Sequence, residues 1–420
     1  MLGPSSPAPA GPHDPPAVLA IVAITYAAIA MGHVPGLKLN RVGIVLLGAI
    51  AVMVFGNIDT AHAISFVNWP TVFLLFGFFV ISAQLRLSGF YGLVAGWVTA
   101  RLSHPARFLF LVMFVAGGLS AFLNHDIVCF VFTPIVGAAL LRKGLNPVPF
   151  LVALAIASNI GAGATLIGNP QDMMIGQIAG LDFGRYLLWS IVPVTLAMSA
   201  AAAIIWRLSP LRLEIGATAA GGSEPEAQPF SRAHSIKGVS ILVVVLALFF
   251  SPLPKEVVAL AAAGIHLAST KYRTEDLMSF VDWPILVLFI GLFVVTGAFQ
   301  SSGWGDAMMG ALARSGFRLE GPVTFVLTTA GLSNLIGNSA AVMLLLKAVK
   351  LSHPTTAYVL ALANSFGGSL IITGSISNII VVQQAKEMGI SISFRQFARL
   401  GVPVTLAALA CLLGWIAVMR

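Results

Sequence analysis

The chain has 420 residues, 58% of them hydrophobic and 9% charged, with a mean hydropathy of +0.95. No water-soluble protein of this size can bury so much apolar surface, so the composition marks a polytopic membrane protein. The net charge of +8 fits cytoplasmic loops rich in Lys and Arg and gives no reason to invoke nucleic acid as a partner.

Residues 1–16 are rich in Pro, Gly and Ser and lack the basic start of a signal peptide, so they read as a disordered N-terminal tail. Apolar runs follow at about 17–33, 40–57, 69–87, 106–123, 127–141, 148–178 and 186–206. The stretch 209–235, with Gly221-Gly222-Ser223-Glu224-Pro225-Glu226, has the composition of a flexible linker. A second set of runs then falls at about 236–251, 255–270, 283–300, 322–336, 339–351, 355–386 and 395–419.

The two sets resemble each other in sequence. Phe66-Val67-Asn68-Trp69-Pro70 returns as Phe280-Val281-Asp282-Trp283-Pro284, and 8 of 18 positions agree between 66–83 and 280–297. Leu119-Ser120 returns as Leu332-Ser333, the run 157–175 loosely as 363–381, and Val192-Pro193 as Val402-Pro403. Four matches in the same order define a first repeat over 17–208 and a second over 236–420. The segments 106–141 and 322–351 are pairs of short apolar arms around a polar tip, which read as re-entrant hairpins. Each half then crosses the bilayer five times, and the odd number inverts the second half. The predicted fold is an all-α polytopic membrane protein of two inverted repeats, each with about five transmembrane helices and one hairpin. On that count 16 Lys and Arg side chains fall on one face and 7 on the other. The positive-inside rule makes the 16-rich face cytoplasmic, with the linker inside and both termini outside.

Two places in each half carry polar residues at membrane depth. The first hairpin tip is Asn124-His125-Asp126, followed by Thr133-Pro134, and its counterpart is Gly337-Asn338-Ser339. An ionisable residue there costs roughly 2.5–3.5 kcal/mol on insertion scales, so Asp126 calls for a role: binding a cation, taking a proton or orienting donors around a substrate, the plain alternative being that it only caps the second arm as its N-cap. The second place is a break rich in glycine, with Ser158, Asn159, Gly161, Gly163, Thr165, Gly168, Asn169, Pro170, Gln171 and Asp172. The other half answers with Asn364, Ser365, Gly367, Gly368, Thr373, Ser375, Ser377 and Asn378. Unwound backbone in a membrane exposes amides suited to an anion and carbonyls suited to Na+. The expected substrate set is therefore Asn124, Asn159, Gly161, Thr165, Asn169, Asn338, Ser339, Asn364, Ser365, Thr373, Ser377 and Asn378. Asp126, His125 and Asp172 are the expected coupling groups for H+ or Na+, and no other cofactor is expected. Cys129 and Cys411 stand alone in apolar runs and support neither a disulfide framework nor a metal cluster. No Walker-type loop, His/Cys constellation or Gly-x-Ser-x-Gly elbow supports an enzyme. Arg86, Arg101 and Arg107 read as interfacial charges that set topology, and 89–101 as a short interfacial helix.

At Asp126 with Thr133-Pro134, and at Ile167-Gly168-Asn169-Pro170-Gln171-Asp172, the chain resembles the ion transporter superfamily. That group holds arsenite efflux pumps, citrate carriers and divalent-anion/sodium symporters. The resemblance runs from about residue 17 onward. It implies a mobile domain of hairpins and broken helices that slides past a scaffold, which is commonly dimeric. His125 stands where the arsenite branch has Asn, and Asp172 where the usual motif has Asn. The tips also differ from the Ser-Asn-Thr of the dicarboxylate symporters.

These features predict a secondary transporter of a small inorganic or carboxylate anion in a bacterial inner membrane, coupled to H+ or Na+. Cation/proton antiport and H+-coupled efflux of arsenite or silicic acid are the alternatives. A membrane-embedded sensor that has lost transport is a reading of a different class, against which the intact breaks in both halves argue.

Overall fold

The computed structural model describes residues 15–32, 36–209, 230–269, 271–305, 307, 310, 321–348 and 353–419. Most of the tail read over 1–16 and of the linker read over 209–235 lies outside the described residues. The fold is all-helical, with no strand among the described residues. The first helices are α1 (Pro15–Met31), α2 (Arg41–Phe55), α3 (Thr60–Phe66), α4 (Trp69–Leu87) and α5 (Phe90–Thr99). There follow α6 (Pro105–Phe122), α7 (His125–Arg142), α8 (Val148–Ala162), α9 (Pro170–Ile178) and α10 (Phe183–Leu208). After the linker come α11 (Arg232–Phe249), α12 (Lys255–Leu267), α13 (Thr274–Ser279) and α14 (Trp283–Ser301). The last are α15 (Pro322–Ile336), α16 (Asn338–Ala348), α17 (Pro354–Gly367), α18 (Ile376–Glu387) and α19 (Phe394–Val418).

Local chemistry sets the boundaries. Pro105, Pro170, Pro322 and Pro354 open α6, α9, α15 and α17, where a missing N–H costs nothing and the fixed φ suits the first turn. Asp182 caps α10 by accepting from the Arg185 N–H, and Ser393 forms a capping box with Gln396 at α19. Among the described residues, seven helices are long and apolar enough to cross a bilayer: α4, α6, α7, α10, α11, α14 and α19. Bare leucines and isoleucines on their outer faces, such as Leu188 at 75% exposure and Ile24 of the shorter α1 at 68%, suit lipid and would be costly in water. The chain is an integral membrane protein.

Two compact units emerge. One holds α1, α2, α3, α14 and residues 343–348 of α16. Within it Gly291 of α14 lies so close to α2 that a Cβ there would stand 2.8 Å from Val45 Cγ1. The other unit holds α4 to α13, α15, residues 338–342 of α16, and α17 to α19. Within it Gly77 of α4 meets α12 in the same way, a Cβ falling 2.7 Å from Ala259. The repeat offset of 214 residues turns Gly77 into Gly291 and Val45 into Ala259, so the two contacts are the same contact made twice with the halves exchanged. The match runs past the stretch that the sequence alone aligns. Gly89 and Gly303, again 214 apart, both take left-handed backbone (φ 76° and 79°) just beyond α4 and α14.

The hairpin and the broken helices take the expected form within the second unit. Helices α6 and α7 meet at Leu123-Asn124, which is buried. Helix α8 stops at Ala162, residues 163–169 are unwound, and α9 resumes at Pro170. In the other half α17 stops at Gly367, and α18 begins at Ile376 after a single 3-10 turn.

Candidate functional site

The breaks leave carbonyls without helical partners, and these must be satisfied inside the protein. Side chains from neighbouring helices supply the donors. Tyr186 and Ser190 of α10 donate to the carbonyls of Gly163 and Ala164 at 2.8 and 2.7 Å. The Thr165 hydroxyl donates to the Ala121 carbonyl of α6 and accepts from the Ile167 N–H, which pins the break to the hairpin. In the second break, Asn378 Nδ2 donates to the carbonyls of Gly368 and Ile371 at 2.8 and 2.9 Å. Asn334 Nδ2 donates to the carbonyl of Gly367 at 2.8 Å.

Around this frame the polar residues form two clusters. In the first, Asn124 caps α7 by accepting from the Asp126 N–H at 2.8 Å. The alternative of Asp126 as N-cap is thereby set aside: Asn124 holds that position, and Asp126 lies in the first turn with its carboxylate open to other partners. Ser377 Oγ, from the other half, donates to Asp126 Oδ1 at 2.5 Å, and His125 Nε2 stands 3.6 Å from the same oxygen. Ser158 donates to the His125 carbonyl at 3.1 Å and shares a hydrogen bond with Ser120. Asn159 Nδ2 donates to Asn378 Oδ1 at 2.8 Å.

The second cluster is centred on Asp172, which is fully buried. Asn169 caps α9 by accepting from the Asp172 N–H, and its own amide donates to Asp172 Oδ2 at 2.6 Å and to Ser365 Oγ at 3.0 Å. Ser365 Oγ donates in turn to Asp172 Oδ2 at 3.3 Å, and Gln171 Nε2 donates to Ser339 Oγ at 2.8 Å. Ser333 donates to Asn338 Oδ1. Asn169→Ala removes the cap and a donor to a buried carboxylate at once. The expected cost is about 2–3 kcal/mol, read as a lower midpoint of thermal unfolding in detergent.

The two clusters correspond through the repeat. Offsets of 213 and 206 residues carry Asp126 to Ser339 and Gln171 to Ser377, so the Ser377–Asp126 and Gln171–Ser339 bonds are equivalent. The same 206-residue offset carries Asn159 to Ser365 and Asp172 to Asn378, which makes the Asn159–Asn378 and Ser365–Asp172 bonds a second equivalent pair. The charges break the equivalence: each cluster holds one aspartate, at positions that the repeat does not interchange.

Several buried polar atoms in these clusters have no partner. They include both amide atoms of Asn364, Asp172 Oδ1, His125 Nδ1 and Asn334 Oδ1. Such atoms are costly unless a ligand, ion or water meets them. Three expected residues take other places. Thr373 is exposed on its 3-10 turn. Gly161 faces the backbone of Gly117 in α6, where a Cβ would come within 2.3 Å of the Gly117 carbonyl oxygen. Thr165 spends its hydroxyl on the backbone. Tyr186, Ser190 and Asn334 join the site without a signal in the sequence pattern. Nothing in the sequence says that the Tyr186 hydroxyl reaches a carbonyl 23 residues earlier.

A family model described as "Citrate transporter" (CitMHS) matches residues 26–363. An uncharacterized transporter of Mycobacterium tuberculosis is 30% identical over 93% of this chain and 96% of its own. The silicon efflux transporter LSI3 of Oryza sativa subsp. japonica is 25% identical over 90% of this chain and 92% of its own. Among solved structures, the YdaH transporter of Alcanivorax borkumensis superposes with a TM-score of 0.60 at 15% identity, covering 97% of each chain. That likeness concerns the fold alone.

Proposed function

Because the chain belongs to the citrate transporter family, we propose that it is a secondary active transporter of a small anion or oxyanion, inorganic or carboxylate, coupled to H+ or Na+. The observation that carries this reading is the buried Asp126 on the first hairpin tip, held by Ser377 from the second half's broken helix. A carboxylate shared between the two halves is placed to respond to a change in either. In the proposed mechanism the anion takes the unpartnered Asn364 amide and the amides at the start of α18. Asp126 with its neighbouring carbonyls holds the coupling cation, and His125 stands close enough to exchange a proton with it. Asp172 supplies a second negative site that favours cations. The hairpins and breaks move as an elevator-type body, the protein is a homodimer in a bacterial inner membrane, and both termini face outward.

A second reading, cation/proton antiport, is favoured by one feature: Asp172 Oδ1 is buried and unpartnered in a cluster that needs no anion. A third, efflux of a neutral hydroxide such as silicic or arsenous acid, draws on the relative named for silicon efflux.

The test is a thermal-stability screen of the purified protein. Citrate, succinate, sulfate, phosphate, arsenite and Na+ are each added at two pH values. Stabilisation by an anion that requires Na+ or low pH supports coupled anion transport. A response to Na+ or pH alone moves the assignment to antiport.

A further inference from the structure

Arg86 does not behave as a simple interfacial charge. Its guanidinium lies over two aromatic rings, 4.3 Å from the centroid of Phe130 on α7 and 4.4 Å from that of Phe280 after α13. It is half-buried and makes no ion pair among the described residues. The contrast with Arg101 is plain, because that side chain stacks on Trp97 and donates to the Trp97 carbonyl at 2.7 Å on an exposed surface.

Two neighbours of Arg86 are also short of partners. Ser82 lies one turn earlier on the same face of α4, and Tyr91 interacts electrostatically with Arg86. Both residues are buried, with exposures of 0% and 1%. Their hydroxyls neighbour each other, yet neither oxygen meets a partner in good hydrogen-bonding geometry. The repeat does not carry a cation at the equivalent position. The register fixed by Gly89 and Gly303 makes Gln300 the repeat equivalent of Arg86.

We propose that Arg86, with the Tyr91 and Ser82 hydroxyls, forms an oxyanion-binding site outside the two central clusters. The rings of Phe130 and Phe280 both hold the guanidinium at cation–π distance, and its N–H groups make no ion pair among the described residues. A planar fork of N–H groups with two hydroxyl donors suits a carboxylate, sulfate or phosphate-type group. Phe130 lies four residues, about one helical turn, beyond Asp126, so Arg86 itself rests against the hairpin arm that carries Asp126. The oxyanion has two sources: an anion free in water or the phosphate of an anionic lipid.

The experiment uses full-length protein labelled with 3-fluorotyrosine in nanodiscs, with the Tyr91 fluorine resonance assigned through Tyr91→Phe. If the source is free anion, sulfate shifts this resonance saturably in phosphatidylcholine nanodiscs. If the source is lipid, phosphatidylglycerol produces the shift and sulfate adds nothing. Either response must vanish in Arg86→Gln, whose other tyrosine resonances report that the fold is intact. Arg86→Lys, which keeps the charge without the fork, should bind about tenfold more weakly and serves if the Gln variant does not fold. A Tyr91 resonance indifferent to both sulfate and phosphatidylglycerol overturns the proposal. So does a response that Arg86→Gln leaves unchanged.

Discussion

Asp126→Asn is expected to abolish gradient-driven accumulation of the anion while leaving the protein folded. The asparagine oxygen still accepts from Ser377 Oγ, and Asn124 still caps α7, so the contacts that hold the tip survive. What is lost is the charge. A charge-assisted hydrogen bond or cation contact at a buried site is worth about 1.5–3 kcal/mol, which corresponds to a loss of coupled flux on the order of ten- to a hundredfold. Exchange of anion for anion across the membrane, which needs no net cation movement, should fall far less. Ser377→Ala removes one donor and keeps the carboxylate, so its effect should be smaller than that of Asp126→Asn in the same flux assay. Equal losses in both variants would mean that Asp126 matters for holding the tip and not for its charge.

Gly161→Ala is the second large effect, and it acts on stability. The new methyl would stand 2.3 Å from the Gly117 carbonyl oxygen and 2.4 Å from its Cα. Both are backbone atoms, so no rotamer change relieves the clash and α6 must part from α8. Overpacking of this kind costs about 3 kcal/mol. It also disturbs Ser120–Ser158 and Thr165–Ala121, which tie the same two segments together. Gly118→Ala is the internal control, because nothing lies within 4 Å of a Cβ at that position. Thermal midpoints in detergent should separate the two variants clearly. If they match, helix contact at Gly161 is not what fixes the break.

The architecture is legible in the sequence wherever the signal is local. Glycine-rich interruptions in apolar runs mark both breaks, and polar tips mark both hairpins. Unwound backbone and charge are tolerated at that depth only where protein or a polar cavity surrounds them. The repeat is legible from identities alone at 66–83 and 280–297. Pairing across long separations stays hidden. Nothing in the local pattern joins Ser377 to Asp126 across 251 positions, or Gln171 to Ser339 across 168. The same holds for roles that depend on who stands opposite. Gly161 reads as a backbone donor for a ligand until Gly117 is seen against it, and Arg86 reads as an interfacial charge until the rings of Phe130 and Phe280 are seen against it. Asn124 and Asp126 are both good caps by type, and only the geometry of the turn decides between them.

At the centre of the proposed mechanism is an anion whose movement a cation gradient drives through Asp126. The most direct measurement is uptake of labelled citrate, succinate, sulfate and phosphate into proteoliposomes under an imposed pH or Na+ gradient, with Asp126→Asn in parallel. One of these anions should accumulate above its equilibrium level only while the gradient lasts, and the variant should fail to accumulate it. Uptake of no anion under either gradient, together with pH-driven Na+ exchange that proceeds without any anion, would contradict the mechanism.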